Sequence, residues 1–188
     1  MQDFSHYLIV DLEATCSNDK SLPIQEMETI EIGAVMLKAD TLEVLDEYCT
    51  FIRPVRHPQL TAFCTELTSI TQQDVDAAPV YAEAIQDFKA WMYRYSNFLF
   101  CSWGDYDKRQ LMQDSQFHQL PFPIGAPHLN IKVRFSETQG LPKRYGLDDA
   151  LKRCGLDLEG RHHRGIDDAR NMARLMPWIT GARTLREI

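Results

Sequence analysis

The stretch that decides the fold is Tyr7-Leu8-Ile9-Val10-Asp11-Leu12-Glu13-Ala14-Thr15-Cys16, close to the start of a chain of 188 residues. Its apolar opening predicts a buried strand over Tyr7–Leu12. Alternate residues of a strand point to the same side, so Asp11 and Glu13 lie together where the apolar run ends. Two such carboxylates are costly to bury unless a hard cation such as magnesium or manganese holds them. On its own the pair is a weak signal, because strand ends often carry solvated acids.

Composition places the chain among ordinary globular proteins. Apolar residues make up 44% and charged residues 25%, and no linker divides the sequence, which predicts one domain over 1–188 with a core of about 5–180. The apolar run before Asp11 has no basic flank and is short, so we expect neither a signal peptide nor a membrane contact. Five scattered cysteines without a CxxC pair are typical of reduced thiols in a cytoplasmic protein.

The net charge of −7 argues at first against nucleic acid as a partner. The objection weakens if acids are metal ligands, because two divalent cations would change the formal charge from −7 to −3. Basic residues also occur in local pairs: Lys132 and Arg134, Lys143 and Arg144, Arg161 and Arg164. The charge balance favours a short site that binds a few phosphates through metal ions over a long non-specific DNA-binding surface.

Three more strands are predicted, at Glu28–Leu37, Val44–Ile52 and Phe98–Cys101. Helices are predicted at Thr61–Leu67, Val80–Tyr95, Tyr106–Phe117, Leu147–Cys154 and Ile166–Trp178, and Thr71 with Asp74 resembles a helix-start box. Short connections make the first three strands antiparallel neighbours. The alternation that follows predicts an α/β fold around one mixed sheet.

A second acidic motif, Trp103-Gly104-Asp105-Tyr106-Asp107, follows the strand Phe98–Cys101 and opens a helix. Aspartate is a favoured N-cap residue, so the structural interpretation is that Asp105 caps the helix. The functional interpretation is that Asp107 faces a metal from the first turn. The two are compatible.

A third motif is His162-His163-Arg164-Gly165-Ile166-Asp167-Asp168. Its structural interpretation is an exposed loop followed by acids that suit a helix N-terminus. Because His163 and Asp168 are five residues apart, a loop and a helix can instead bring an imidazole and a carboxylate to one cleft. Together the three motifs supply the carboxylates for two-metal phosphodiester hydrolysis and a histidine able to accept a proton near neutral pH.

These motifs resemble those of the DEDDh class of DnaQ-like 3′–5′ exonucleases, and within it the Eri-type branch. Asp11-Leu12-Glu13-Ala14-Thr15-Cys16 is similar to that branch's D-F-E-A-T-C. The stretch from Gln59 to Gln72 resembles its Q-L-x-x-F-C…L-T-x-I-T-Q segment, and Gly160 to Asp168 its G-R-x-H-x-G-[LI]-D-D ending. The resemblance covers almost the whole chain and implies a ribonuclease H-like mixed five-stranded sheet flanked by helices.

The resemblance also implies residue roles. The metal ligands would be Asp11, Glu13, Asp107 and Asp168, and the catalytic residues Glu13 and His163, with His163 as general base. The substrate would contact Leu12, Ala14, Thr15, Phe63, Leu67, Tyr106 and His163. The family interval selects Asp107 over Asp105, and His163 with Asp168 over His162 with Asp167, although the neighbours remain candidates for an assisting role.

The expected activity is metal-dependent 3′–5′ hydrolysis of single-stranded nucleic acid, RNA before DNA, to nucleoside 5′-monophosphates. The expected cofactor is two Mg²⁺ ions, for which Mn²⁺ would substitute. Three alternatives stand beside it: a 3′–5′ DNA exonuclease, a non-catalytic RNA-binding domain that kept the cleft, and a ribonuclease H-type endonuclease, which does not need His163. The sequence identifies no protein partner.

Overall fold

A five-stranded sheet is the centre of the computed structural model, which describes residues 3–185. Its strands are β1 His6–Ala14, β2 Thr29–Lys38, β3 Val44–Phe51, β4 Phe98–Ser102 and β5 His128–Asn130, in the order β3-β2-β1-β4-β5. The β1–β2 and β2–β3 pairs are antiparallel, whereas β4 is parallel to both β1 and β5. The predicted mixed sheet is confirmed.

Seven α-helices flank the sheet in the described residues. They are α1 Ala62–Thr68, α2 Gln72–Asp76, α3 Tyr81–Met92, α4 Tyr106–Phe117, α5 Ile131–Thr138, α6 Leu147–Arg153 and α7 Gly165–Ile179. Thr61 caps α1, and Thr71 with Asp74 forms the expected capping box of α2. The helix predicted over Val80–Tyr95 ends earlier, at Met92, and the Tyr95 hydroxyl donates a hydrogen bond to Asp46 instead.

Each face of the sheet carries its own apolar core. In β1, Tyr7 and Ile9 pack with helices α5, α6 and α7, while Leu8, Val10 and Leu12 pack with α3 and Leu111 of α4. This alternation follows from the two-residue period of a strand. Asp11 and Glu13 continue the Tyr7 and Ile9 series, so both acids lie on the face that α7 covers.

The shortest strand and its following helix were absent from the residue-by-residue prediction. β5 has three residues, which are half-buried, and it forms only by pairing with β4, where Phe100 lies opposite His128. Immediately behind it, Asn130 caps α5 by accepting a hydrogen bond from the Val133 N–H. A strand this short carries too little pattern to be recognised without its neighbour.

All five cysteines are free thiols. No helix in the described part of the chain combines the length and the apolar character that crossing a membrane requires. The single domain predicted over 1–188 stays a prediction, and residues 1, 2 and 186–188 lie outside the described residues.

Candidate active site

The carboxyl end of β1 is joined to the first turn of α4. The N–H of Leu12 donates a hydrogen bond to Asp107 Oδ1 over 3.0 Å. Asp107 is 4% exposed and Glu13 8% exposed. Because an extended strand presents Leu12 N–H between Asp11 and Glu13, this one bond sets Asp107 beside both acids.

The loop before α7 supplies the histidine. His163 has a φ of 62°, in the left-handed region that costs a residue other than glycine roughly 1–3 kcal/mol. Its N–H donates to Asp168 Oδ2 over 2.9 Å, which stabilises this backbone geometry. The rings of His162 and His163 stack, with centroids 4.0 Å apart.

The two acids of this motif face different surroundings. Asp167 accepts a hydrogen bond from the Arg161 N–H at 2.9 Å and forms an ion pair with Arg170 at 3.3 Å. Asp168 is 4% exposed and lies in the cleft, where it contacts both histidines. His162 Nδ1 is 3.0 Å from Asp168 Oδ1, so His162 belongs to the same cluster.

Carboxylates from three separate elements meet at this edge of the sheet. One oxygen each of Asp11, Glu13 and Asp168 lies within 4.8 Å of the others. Burial first, and then the nearby acids, raise the pKa of Asp11 well above its ordinary value and that of Glu13 to about 9. Burial also raises the pKa of Asp107 to about 6, although the Leu12 N–H opposes the rise.

This donor set fits a divalent metal. Each charged neighbour that shifts the Asp11 pKa is another acid, namely Asp107, Glu13, Asp168 and Glu31. A buried cluster of like charges is destabilising unless a cation or protons neutralise it. Hard oxygen donors at this spacing suit a divalent cation of the magnesium or manganese type. The four acids named from the sequence are therefore brought together around one hollow.

The hollow is a cleft of about 290 Å³. Of the seven residues predicted to contact the substrate, five line it: Leu12, Ala14, Leu67, Tyr106 and His163. Thr15 does not, because it is buried and its Oγ1 accepts a hydrogen bond from the Glu28 N–H. Phe63 is half-buried on α1 and is also not among the lining residues, so a substrate contact of Thr15 and Phe63 stays a prediction.

Sequence reasoning missed other parts of the cleft wall. Cys16, Met27, Trp103 and Leu147 line it together with the predicted residues. Cys16 and Trp103 belong to the two acidic motifs quoted above, so their position in the sequence could have indicated that they lie near the cleft. Met27 and Leu147 gave none, because they reach the cleft only through the packing of the 3₁₀ turn Ile24–Glu26 and of α6.

Glu31 is the most important buried acid that the sequence did not reveal. It lies on β2 opposite Glu13, and it is fully buried. Its carboxylate accepts hydrogen bonds from Arg164 Nε and Nη2, both at 3.1 Å, and from the Gly165 N–H at 2.9 Å. The signal was a charged residue within a mostly apolar strand.

The N-terminus of α7 lies directly against the sheet. A Cβ added to Gly33 would lie 2.0 Å from the Gly165 carbonyl carbon. A Cβ on Gly165 would lie 3.0 Å from the backbone carbonyl oxygen of Asp11. A side chain at Gly33 would overlap the α7 backbone, and one at Gly165 would make a tight contact, so glycine at both positions favours this close approach. The close contact places Asp168, one turn into α7, over the carboxyl end of β1.

The predicted capping role of Asp105 is wrong. Asp105 occupies the N-cap position of α4, but its side chain makes no capping hydrogen bond. Its Oδ2 instead accepts a hydrogen bond from Asn130 Nδ2 at 3.1 Å. Asp105 is exposed and is not a lining residue of the cleft, whereas Asp107 is.

Comparison with known proteins decides the family. The sequence profile of the family described as Exonuclease matches residues 8–176. The chain belongs to the exonuclease family. This match supports the predicted resemblance at the level of the exonuclease family. Curated relatives and solved structures support the narrower resemblance to the Eri-type DEDDh branch.

Among curated relatives of this exonuclease, ERI1 exoribonuclease 3 of Mus musculus is 34% identical over 184 residues. The match covers 93% of this chain and 53% of the mouse protein, so the chain spans about half the length of that relative. Among solved structures, the nuclease domain of 3′hExo, a DEDDh family member bound to rAMP, has a TM-score of 0.86 at 30% identity. That match covers 92% of this chain and 90% of the domain.

A second solved structure describes 3′-end specific recognition of histone mRNA stem-loop by a 3′-exonuclease. Its TM-score is 0.85 at 27% identity, and the match covers 95% of this chain and 65% of the other. These similarities confirm the predicted family, including its DEDDh class, and the ribonuclease H-like sheet of this exonuclease-family chain.

Proposed function

We propose that this protein is a 3′–5′ exoribonuclease that needs divalent metal and releases nucleoside 5′-monophosphates. The observation that carries the proposal is the convergence of Asp11, Glu13, Asp107 and Asp168 with His163 in one cleft. The stability of the fold alone gives no reason to gather four acids, of which Glu13, Asp107 and Asp168 are buried and Asp11 is half-buried, because their mutual repulsion is destabilising. The proposed cofactor is a pair of Mg²⁺ ions, with Mn²⁺ as a substitute.

The four acids would hold the ions, which when bound supply an activated water and neutralise charge on the leaving 3′ oxygen. His163 would act as the general base. Its backbone is fixed by Asp168, and its half-buried imidazole lines the cleft beside the acids. Burial, and then the neighbouring His162, lower the pKa of His163.

The opposite wall would hold the terminal nucleotide. The Tyr106 side chain is 39% exposed and lines the cleft, so its ring is available to stack on a base. Leu67 and Ala14 contribute apolar surface next to it. The cleft of about 290 Å³ lies just below the range for small-ligand sites, ~300–1,000 Å³, a size that suits one nucleotide.

Two observations on relatives support RNA as the substrate. The curated mouse relative is named an exoribonuclease, and the nuclease domain of 3′hExo is described with rAMP, a ribonucleotide. We extend both to this chain as part of the proposal. We also propose a single catalytic domain and, from the five free cysteines, a cytoplasmic location.

The decisive experiment uses a 5′-labelled single-stranded RNA with MgCl₂ and then with EDTA. A ladder that shortens from the 3′ end, that stops with EDTA and that yields 5′-monophosphates is the expected result. Internal fragments would favour a ribonuclease H-type endonuclease. A DNA strand of the same sequence, degraded faster than the RNA, would make the protein a DNA exonuclease.

The matched control is Asp105→Asn. Asp105 is an exposed aspartate two residues from Asp107, outside the cleft lining. Asp107→Asn should abolish hydrolysis while Asp105→Asn retains it. Binding of RNA without hydrolysis under any metal condition would instead identify a non-catalytic RNA-binding domain.

A further inference from the structure

The loop that joins α5 to α6, residues 139–146, carries two adjacent exposed cations, Lys143 and Arg144. Within residues 141–154 there are four cations and two acids, a net charge of +2 in a chain whose net charge is −7. We refer to Lys143, Arg144 and Arg153 as the cationic ridge. The ridge is a local exception to the acidic character of the protein.

In the described part of the chain, the charges of the ridge cations are not neutralised by neighbouring acids, whereas those of six other cations are. The cations that form ion pairs with acids are Lys38, Arg94, Lys152, Arg164, Arg170 and Arg174. None of Lys143, Arg144 and Arg153 forms an ion pair within residues 3–185. Their charge is therefore available to an anionic partner.

The ridge is also fixed relative to the cleft. Tyr145 is 8% exposed, and its carbonyl accepts a hydrogen bond from Trp103 Nε1 at 3.2 Å. Arg153 lies over the Tyr145 ring at 3.9 Å, and Lys143 lies 5.4 Å from the same ring. Trp103 itself lines the cleft, as does Leu147, the first residue of α6. The loop that carries Lys143 and Arg144 is thus joined to one wall of the cleft through Tyr145 and Leu147.

We propose that the cationic ridge binds the sugar–phosphate backbone of single-stranded RNA a few nucleotides upstream of the 3′ end that enters the cleft. The proposal rests on the proposed function and extends it from the terminal nucleotide to the body of the substrate. Phosphates repeat along the strand whatever its sequence, so a rigid cationic patch at the cleft wall binds them without sequence preference.

The expected effect follows from counterion release. Each phosphate contact to a single strand contributes about 0.7 to the slope of log affinity against log salt, which corresponds to roughly 5-fold in affinity at 0.1 M salt. Two contacts would contribute roughly 25-fold. Because the ridge is proposed to bind phosphates a few nucleotides upstream of the 3′ end, a dinucleotide should not reach it, and the effect should depend on substrate length.

The test compares Lys143→Gln/Arg144→Gln with wild type on a dinucleotide and on an RNA of about 12 nucleotides, in Mg²⁺. The ratio of kcat/KM for the longer RNA to that for the dinucleotide should fall roughly 10- to 30-fold, and the salt slope should flatten by about 1.4. Lys143→Glu/Arg144→Glu should lower the ratio further. Thermal unfolding checks that each variant is folded.

The control is Lys38→Gln/Lys89→Gln, which removes two positive charges at sites away from the cleft wall. Lys38 is the last residue of β2 and pairs with His6, at the end of β1 opposite Asp11 and Glu13. Lys89 lies on α3, which packs on the face of the sheet opposite to the one that α6 covers. An equal fall in this control would show a general charge effect and overturn the proposal, as would an unchanged ratio in the ridge variant. If wild type hydrolyses neither RNA, the proposed function itself fails.

Discussion

The ion pair between Glu31 and Arg164 allows a sharp prediction, because substituting Arg164 should lower the free energy of unfolding more than substituting Glu31 does. Arg164→Gln leaves a fully buried carboxylate that retains the hydrogen bond from the Gly165 N–H but loses both bonds from the guanidinium. Breaking a buried ion pair from one side costs about 3–5 kcal/mol. The Arg164 side chain is 25% exposed, so water reaches the vacated position and we expect the lower limit, about 3 kcal/mol.

Glu31→Gln should cost less. The glutamine retains an oxygen for the Gly165 N–H, and Arg164 can extend into water. Removing the negative charge also relieves repulsion, since Glu31 is one of the acids that raise the pKa of Asp11 and of Glu13. We expect a net loss of about 1 kcal/mol in the absence of metal.

The assay is urea unfolding in EDTA, followed by circular dichroism, with thermal unfolding as a second readout. For a chain of this size about 3 kcal/mol corresponds to a fall in Tm of roughly 6–12 °C, and about 1 kcal/mol to roughly 2–4 °C. Arg170→Gln is the control, because its ion pair with Glu47 is exposed and should contribute less than about 1 kcal/mol. The reasoning is refuted if Glu31→Gln is as destabilising as Arg164→Gln in EDTA.

Three further predictions concern the cleft and the contact of α7 with the sheet. Asp11→Ala should lower hydrolysis by ~10³-fold or more through loss of a metal ligand, yet raise the Tm in EDTA because it removes one of the mutually repelling acids; retained activity would discard the ligand assignment. His163→Ala should slow single-turnover hydrolysis by ~10²–10⁴-fold with metal affinity little changed in calorimetry, and equal losses of both would assign the imidazole another role. Gly33→Ala should destabilise the fold by at least the ~1–3 kcal/mol of an overpacked core and so lower the Tm, because its Cβ would overlap the Gly165 backbone, and a Tm close to wild type would contradict that contact.

Much of the fold could be read from local patterns. α4 begins and ends where the sequence predicts, at Tyr106 and Phe117, and β1, β2 and β3 agree with their predicted ranges to within two residues. These segments have apolar periodicity or clear end signals, which local chemistry alone produces. The motifs that contain the four acids and His163 were also identifiable, because they lie where a strand ends or a helix begins, and the family resemblance selected Asp107, His163 and Asp168 from their neighbours.

Partners distant in sequence were not predictable. Glu31 and Arg164 are 133 residues apart, and the sequence around each residue does not indicate that the other is its partner. Asp105 has the residue type of a helix cap, but Asn130 provides an alternative hydrogen bond that only the packing of β5 against β4 creates. Thr15 stands inside the active-site motif, and yet Glu28 on the neighbouring segment engages its hydroxyl.

The sequence by itself determined which residue types are available for catalysis and on which elements they lie, because strand and helix periodicities are properties of short segments. Only the tertiary structure decided that α7 approaches β1 closely enough, through Gly33 and Gly165, to set Asp168 beside Asp11. This placement depends on backbone contacts between segments that are distant in sequence, and the energies of such contacts depend on how the whole domain packs.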